Sequence, residues 1–221
     1  MDAQLYIVPT PIGNLKDITL RALEVLKEVD LILAEDTRQT MKLLAHYDIS
    51  NSMQPFHLNN EHKVLNSITN RLKAGETMAI VSDAGTPGIS DPGFLLVREA
   101  LKNDIEIDVL PGATAFVPAL IKSGFPTERF IYEGFLPHKK GRQKRIEACL
   151  NEPRTVIFYE SPHRIEKAIT QSVEILGEER KISISREITK LYEETLTGSA
   201  SELLSKIKLK PLKGEIVLVI H

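Results

Sequence analysis

Residues 82–93 read SDAGTPGISDPG and directly follow the apolar run Met78-Ala79-Ile80-Val81. The stretch predicts a buried strand that ends in a loop containing three glycines and two prolines. A helical pattern begins again at Phe94. This arrangement is typical of a ligand site at the carboxyl end of a strand, because glycines let the backbone approach a ligand and prolines fix its path. A tight surface turn that binds nothing is the simpler alternative.

The alternation of strand and helix patterns continues outward from this loop. Further strands are predicted at 5–8, 31–34, 54–58 and 105–110. Helical patterns separate them, which is typical of a mostly parallel sheet with helices on both faces. Two of these strands end in the loops PTPIGN (9–14) and PGATA (111–115), so we expect three loops to open at one sheet edge.

The second half of the chain has a different pattern. Strands are predicted at 130–136, 156–159, 182–185, 193–197 and 216–220. The short connection within 182–197 favours antiparallel pairing, so we expect a mixed sheet with helices. A boundary near 112–118 divides the chain into an N-terminal α/β domain, 1–114, and a C-terminal mixed α/β domain, 115–221.

Composition excludes several classes of protein. The net charge of −2 over 221 residues gives no global basic field, so any nucleic-acid binding must rest on local patches. One cysteine, Cys149, allows no intrachain disulfide and is expected in the core. No apolar run is long enough to span a bilayer, and we expect a cytosolic protein. The six histidines are scattered, so no metal site is predicted.

Three charged motifs in the second half are candidates for function. KKGRQKR (139–145) carries five cations in seven positions, as a solvated face or a phosphate contact would. YESPHR (159–164) follows a predicted strand; Ser161 suits a helix N-cap and Pro162 a first helical residue, which leaves Glu160, His163 and Arg164 unexplained. REITKLYEET (186–195) is a solvated turn or a second group of site residues.

Two common binding modes are not indicated. The glycine loops match neither the dinucleotide pattern GxGxxG nor the P-loop GxxxxGK[ST], which argues against a Rossmann oxidoreductase and against triphosphate binding. Aromatic residues are scarce and tryptophan is absent, so the composition does not indicate an aromatic platform for single-stranded nucleic acid.

Eight motifs in a fixed order resemble the ribosomal RNA small-subunit methyltransferase I family, of the tetrapyrrole-methylase superfamily. They are VPTPIGNLKDIT (8–19), LAEDTR (33–38), SDAGTPGISDPG (82–93), LPGATA (110–115), GFLP (134–137), YESPHR (159–164), REITKLYEE (186–194) and KGE (213–215). The resemblance covers essentially the whole chain. It implies a two-domain α/β fold, S-adenosylmethionine (SAM) bound in a cleft between the domains, and a homodimer. It also implies 2′-O-methylation of a cytidine in the decoding region of small-subunit ribosomal RNA, as naked RNA or in the assembled 30S subunit.

The resemblance also assigns site residues. The cofactor-binding residues it implies are Pro11, Gly13, Asp83, Ala84, Gly85, Pro87, Ile89, Ala113, Thr114 and Gly214. The catalytic candidates are Glu160, His163, Lys190 and Glu194. Many family members continue beyond the closing strand into a helical extension, whereas this sequence stops at His221. RNA contact is therefore expected from Lys139, Lys140, Arg142, Lys144, Arg145 and Arg164.

Two other functions are compatible with the sequence. A tetrapyrrole C-methyltransferase of the same superfamily would share the fold and the cofactor but act on a large anionic macrocycle. A non-catalytic module that binds SAM or RNA would retain SAM without producing S-adenosylhomocysteine. Fold alone does not decide among these functions.

Overall fold

A computed structural model describes residues 2–221, which form two compact units that meet between Thr114 and Ala115. Unit 1 ends at Thr114, and unit 2 begins at Ala115. No helix within residues 2–221 combines the length and the apolar composition needed to cross a membrane.

Unit 1 alternates short strands with helices. Its strands are β1 (Leu5–Ile7), β2 (Leu31–Ala34), β3 (Met53–Pro55), β4 (Met78–Val81) and β5 (Ile107–Val109). Its helices are α1 (Leu20–Glu28), α2 (Thr37–His46), α3 (Glu61–Lys73) and α4 (Phe94–Lys102). The strands form one sheet in the order β3-β2-β4-β1-β5, and every pair is parallel. The carboxyl ends of β1, β4 and β5 are therefore neighbours at one sheet edge.

The core of unit 1 lies in two layers because successive strand side chains point to opposite faces. Tyr6 and Val8 pack with α1 and α2 on one face. Leu5 and Ile7 pack with α3 and α4 on the other. Both faces are covered, which explains why these strands are continuous apolar runs rather than alternating ones.

Unit 2 contains a mixed sheet. Its strands are β6 (Phe130–Phe135), β7 (Thr155–Glu160), β8 (Lys181–Arg186), β9 (Glu194–Ser199) and β10 (Ile216–Ile220). Its helices are α5 (Phe116–Ser123), α6 (Arg142–Glu147), α7 (Ile165–Leu176) and α8 (Ala200–Leu209). The strand order is β6-β7-β10-β8-β9, in which only the β6–β7 pair is parallel. Helices α6, α7 and α8 cover the main core on one face, and α5 packs against the sheet without joining that core.

The predicted fold class is confirmed, including the parallel sheet in the first half and the mixed sheet in the second. The structure differs from the sequence prediction at β3, which spans 53–55 rather than 54–58, at β5, which spans 107–109 rather than 105–110, and at the start of α7. Helix α7 begins at Ile165 rather than at Pro162, because the preceding residues form a turn in which the Ser161 carbonyl accepts the N–H groups of Arg164 and Ile165. Cys149 is buried as expected, and burial raises the pKa of its thiol to about 11.

Candidate functional site

Hydrogen bonds join the three glycine- and proline-bearing loops of unit 1. Thr10 and Gly85 exchange backbone hydrogen bonds of 2.9 Å in both directions, so the first loop pairs with the glycine loop. The Thr10 hydroxyl also donates to the Ser82 carbonyl at 3.0 Å. The Thr86 hydroxyl donates to the Ala113 carbonyl at 3.1 Å, which joins the glycine loop to the third loop. The three loops therefore form one connected rim at the sheet edge.

Two glycines are required where these loops approach each other. Gly85 has a φ of +88°, in the left-handed region that favours glycine, and a Cβ there would touch Ile12 and the Ala113 carbonyl. A Cβ on Gly112 would lie 2.5 Å from the Cβ of Pro9. Most of the predicted cofactor residues lie in this rim, namely Pro11, Gly13, Asp83, Ala84, Gly85, Pro87, Ile89, Ala113 and Thr114.

A pocket of about 300 Å³ opens beside the rim within unit 1. Its lining residues are Thr10, Pro11, Leu15, Gln39, Thr40, Lys42, Leu43, Ser82 and Asp83. Pro11 and Asp83 were predicted from the sequence, whereas the α2 residues were not. The signal for α2 was present: Asp36 in the motif LAEDTR is the N-cap of α2 and accepts the Arg38 N–H, so that motif places the start of the helix beside the loops.

Three carboxyl groups gather at this edge of unit 1. Burial is the main cause that raises the pKa of Glu35, of Asp83 and of Asp91, and for Asp91 the raised value is about 7. The negative charge of Glu35 raises the pKa of Asp91 further. The carboxylates of Glu35 and Asp83 accept backbone hydrogen bonds: the Asp83 N–H donates to Glu35, and the Asp36 N–H donates to Asp83. Arg38, the nearby cation that lowers the pKa of Asp83, is already paired with Asp36, so the three partly buried carboxyl groups favour a positively charged ligand.

The pKa of Asp36 is lowered, unlike the raised pKa values of Glu35 and Asp83. Its carboxylate accepts hydrogen bonds from the Arg38 guanidinium and the Arg38 backbone N–H, which lower its pKa to about 2. Asp36 therefore stays ionised, and its charge is already matched by Arg38.

In unit 2 the motifs YESPHR and REITKLYEE and the motif KGE meet at one end of the strands of the mixed sheet. Glu160, Ile216, Arg186 and Glu194 lie in register across β7, β10, β8 and β9. This row brings YESPHR, KGE and REITKLYEE to the same end of the strands. With strands spaced about 4.8 Å apart, Glu160 and Glu194 are separated by roughly 14 Å across three strand gaps. The two carboxylates belong to separate ion pairs, Glu160 with Arg142 and Arg164, and Glu194 with Arg186.

Glu160 lies at the centre of a buried ion cluster. Its side chain is 0% exposed, that of Arg142 is 3% exposed and that of Arg164 is 19% exposed. One carboxylate oxygen accepts the Arg142 Nη2 at 2.6 Å, and the other accepts the Arg164 Nη2 at 2.9 Å and the Ser161 N–H at 2.8 Å. Glu160 thus positions Arg164 and does not face solvent.

Arg142 departs from its predicted role in RNA contact. Its guanidinium is buried and donates to Glu160, to the Gln171 side chain and to the carbonyls of Pro137 and Arg164. This arginine therefore ties the motif GFLP to the motif YESPHR from inside unit 2. The sequence suggested a surface cation because Arg142 lies in KKGRQKR, but α6 turns it and Ile146 inward together.

The remaining catalytic candidates differ in what they can do. His163 is exposed in the turn between β7 and α7. Lys190 donates to Glu187 and Glu215 at 3.0 Å each; burial lowers the pKa of Lys190, but these hydrogen bonds outweigh it and raise the pKa overall. Lys190 is therefore an ammonium group that can stabilise negative charge and cannot accept a proton. Glu194 is paired with Arg186 at 2.8 Å.

Gly214, predicted to contact the cofactor, has a local structural explanation. It adopts a φ of +87°, and a Cβ there would collide with the Glu187 carboxylate. That carboxylate needs the space because it accepts the Glu215 N–H and the Lys190 ammonium. Glycine at this position thus permits the close approach of Glu187.

The cations of KKGRQKR (139–145) other than Arg142 are exposed. Lys139, Lys140 and Lys144 are exposed, and Arg145 is exposed while forming an ion pair with Glu133. Within residues 2–221 no group of three or more His, Cys, Asp or Glu side chains is arranged to hold a metal ion.

Comparisons with known proteins place this chain among methyltransferases. Residues 4–204 match the tetrapyrrole (corrin/porphyrin) methylases. A ribosomal RNA small subunit methyltransferase I from Thermotoga maritima is 48% identical over 98% of this chain and 97% of its own. One from Escherichia coli O157:H7 is 49% identical over 99% of this chain and 77% of its own.

A solved structure supports the fold. It is the uroporphyrin-III C-methyl transferase from Thermus thermophilus complexed with S-adenosyl homocysteine, with a TM-score of 0.65 and 16% identity. The match covers 98% of this chain and 96% of that one. The methyl donor of this family of methyltransferases is SAM.

Proposed function

Because the chain belongs to the ribosomal RNA small subunit methyltransferase I family, we propose that it methylates small-subunit ribosomal RNA with SAM. We propose further that the acceptor is the ribose 2′-hydroxyl of a cytidine in the decoding region. The observation that carries SAM binding is the connected rim of loops in unit 1, with its pocket and its carboxyl groups, and the proposed acceptor rests on the family relationship.

The residues of the rim fit SAM chemically. When bound, SAM supplies a methyl group on a positively charged sulfonium. Glu35, Asp83 and Asp91 provide negative charge at a partly buried edge, which favours a cationic ligand over a neutral one. Gly85 lets the loop backbone approach closely, and Ala113 and Thr114 complete the rim. The same carboxylates would bind the neutral product, S-adenosylhomocysteine, less strongly, which favours its release.

RNA contact in this proposal comes from the exposed cations of unit 2. Lys139, Lys140, Lys144 and Arg145 would contact phosphates, with Arg164 beside them, and Arg142 is omitted because it is buried. Phosphate contacts release counterions, so RNA binding should weaken steeply as salt increases.

Charge reversal tests this cationic surface. The triple variant K139E/K140E/K144E should weaken RNA binding and reduce its salt dependence while SAM binding is unchanged. The matched control K206E/K208E/K210E reverses three exposed lysines of the same unit. Equal RNA affinity for the two variants would contradict the assignment.

His163 is the proposed proton acceptor for the ribose hydroxyl. A 2′-hydroxyl is a weak nucleophile, so a general base helps, and much of the remaining rate gain comes from alignment of the reacting atoms. His163 is exposed, whereas Glu160 is enclosed by two arginines and Lys190 is protonated. H163A should lower turnover about 100-fold with unchanged SAM affinity. If H163A and E160Q both keep full turnover, the motif YESPHR does not supply the catalytic group.

The acceptor distinguishes the proposed function from the alternatives. The protein is incubated with methyl-labelled SAM and, in parallel, with small ribosomal subunits, naked small-subunit RNA or a uroporphyrinogen-type tetrapyrrole. We expect the label in the RNA. We also propose that the enzyme is homodimeric and cytoplasmic. Label in the tetrapyrrole would instead support the C-methyltransferase, and SAM binding without transfer to any acceptor would support a binding module.

A further inference from the structure

Five aromatic rings of unit 2 form a continuous row. The ring centroids are 5.4 Å apart for Phe135 and Tyr159, 5.3 Å for Tyr159 and Tyr132, 4.8 Å for Tyr132 and Phe116, and 6.2 Å for Phe116 and Phe130. The pairs at the Phe135 end are edge-to-face, the arrangement that aromatic rings favour. Each ring is therefore held by its neighbours, although the composition of the chain gave no sign of an aromatic surface.

Phe135 ends this row with a large exposed surface. It is 55% exposed, and its edge contact with Tyr159 restrains the ring. A β-bulge between Tyr132 and Gly134 sets its direction, because the bulge shifts the register so that Phe135 pairs with Tyr159. Gly134 adopts a φ of +69°, which a glycine tolerates at such a bulge.

Exposed cations follow Phe135 along the chain, and Arg142 links the segment after it to the Arg164 turn. Lys139 and Lys140 follow within five residues and are exposed. The buried Arg142 donates to the carbonyls of both Pro137 and Arg164, so it holds the segment after Phe135 next to the Arg164 turn. The Nη1 atom of Arg164 is buried and has no hydrogen-bond partner among residues 2–221. Arg142 and Arg164 share the carboxylate of Glu160, so the exposed positive charge of this segment comes from Lys139 and Lys140.

We propose that Phe135 is a stacking surface for an unpaired base of the RNA substrate, with the neighbouring cations contacting the adjacent phosphates. This inference rests on the proposed function and names the residue that would hold one nucleotide. Proteins bind unpaired RNA by stacking bases on exposed aromatic rings beside positive charge, and every base offers a suitable face. A rigidly supported, half-exposed ring fits this role because little side-chain freedom is lost on binding.

Leucine and tryptophan at position 135 separate stacking from simple packing. F135L keeps an apolar side chain of similar bulk but removes the aromatic face, whereas F135W keeps that face. The matched control is F130L, because Phe130 lies in the same strand and the same row, is 40% exposed and is roughly 16 Å away at the other end of β6. Each variant is assayed for RNA affinity, KM for small subunits, SAM affinity, thermal midpoint and oligomeric state.

The expected result is a loss of RNA affinity of about 5- to 150-fold in F135L, with wild-type affinity in F135W and F130L. SAM affinity and the thermal midpoint should not change. RNA affinity that is unchanged in F135L overturns the inference, as does an equal loss in all three variants, which would indicate packing. A changed oligomeric state in F135L with normal RNA affinity would also overturn it and assign the ring to contact with a second copy. A wild-type protein that neither binds nor methylates RNA contradicts the proposed function itself, and this inference with it.

Discussion

The replacement E160Q should lower the free energy of unfolding by about 3 kcal/mol, because it removes the only carboxylate of a buried ion cluster. Glutamine can keep the hydrogen bond from the Ser161 N–H, but its amide cannot match the charges of Arg142 and Arg164. Breaking a buried ion pair costs about 3–5 kcal/mol. The lower end applies here because Arg164 is 19% exposed and can regain water, whereas Arg142 at 3% cannot.

Urea unfolding followed by circular dichroism measures this difference. The matched control is E194Q, because Glu194 pairs with Arg186 in the same row of the sheet and its side chain is 34% exposed. A partly exposed pair of this kind contributes about 1 kcal/mol or less. The double variant R142M/E160Q removes both buried charges and should regain part of the loss. A loss in E160Q no larger than that in E194Q would show that Glu160 is not the centre of a buried cluster, and the account of Arg164 as a positioned cation would fail with it.

Three further outcomes follow from the same structure. Because the pKa of Asp91 is about 7, its carboxyl gains a proton as the pH falls from 8 to 6. The affinity for SAM, measured by calorimetry, should therefore fall by at most about tenfold per pH unit. In D91N the affinity for SAM should depend less on pH. G112A should cost about 1–3 kcal/mol in urea unfolding, because its Cβ would lie 2.5 Å from that of Pro9, and a neutral result would contradict the close loop packing. Cys149, buried with a pKa of about 11, should react with a thiol reagent at pH 8 only after denaturation, and rapid native labelling would disprove its burial.

The sequence predicts the buried strands better than the charged side chains. Strands β2, β4 and β10 match their predicted bounds because each is a short apolar run that is buried along its whole length. The loops of unit 1 were also predicted to lie together, since parallel strands place their carboxyl ends at one edge. Both results depend on local patterns that a single sequence contains.

The direction of long polar side chains depends on tertiary contacts that no local pattern records. Arg142 was predicted at the surface with its cationic neighbours, yet it is buried against Glu160, a residue 18 positions away. The close approach of the Glu187 carboxylate to Gly214 is another tertiary contact of this kind, and the contact of Gly214 with the cofactor stays a prediction. The aromatic row was also missed, because its members come from α5, β6 and β7 and have no shared spacing.

The most direct test of the central proposal is to map the methyl group on the RNA. Small subunits from a strain that lacks this enzyme are treated with the protein and methyl-labelled SAM, and the RNA is digested and analysed by mass spectrometry. The account predicts label on the 2′-oxygen of a single cytidine in the decoding region. Label on a base, at many scattered riboses or nowhere on the RNA would contradict it.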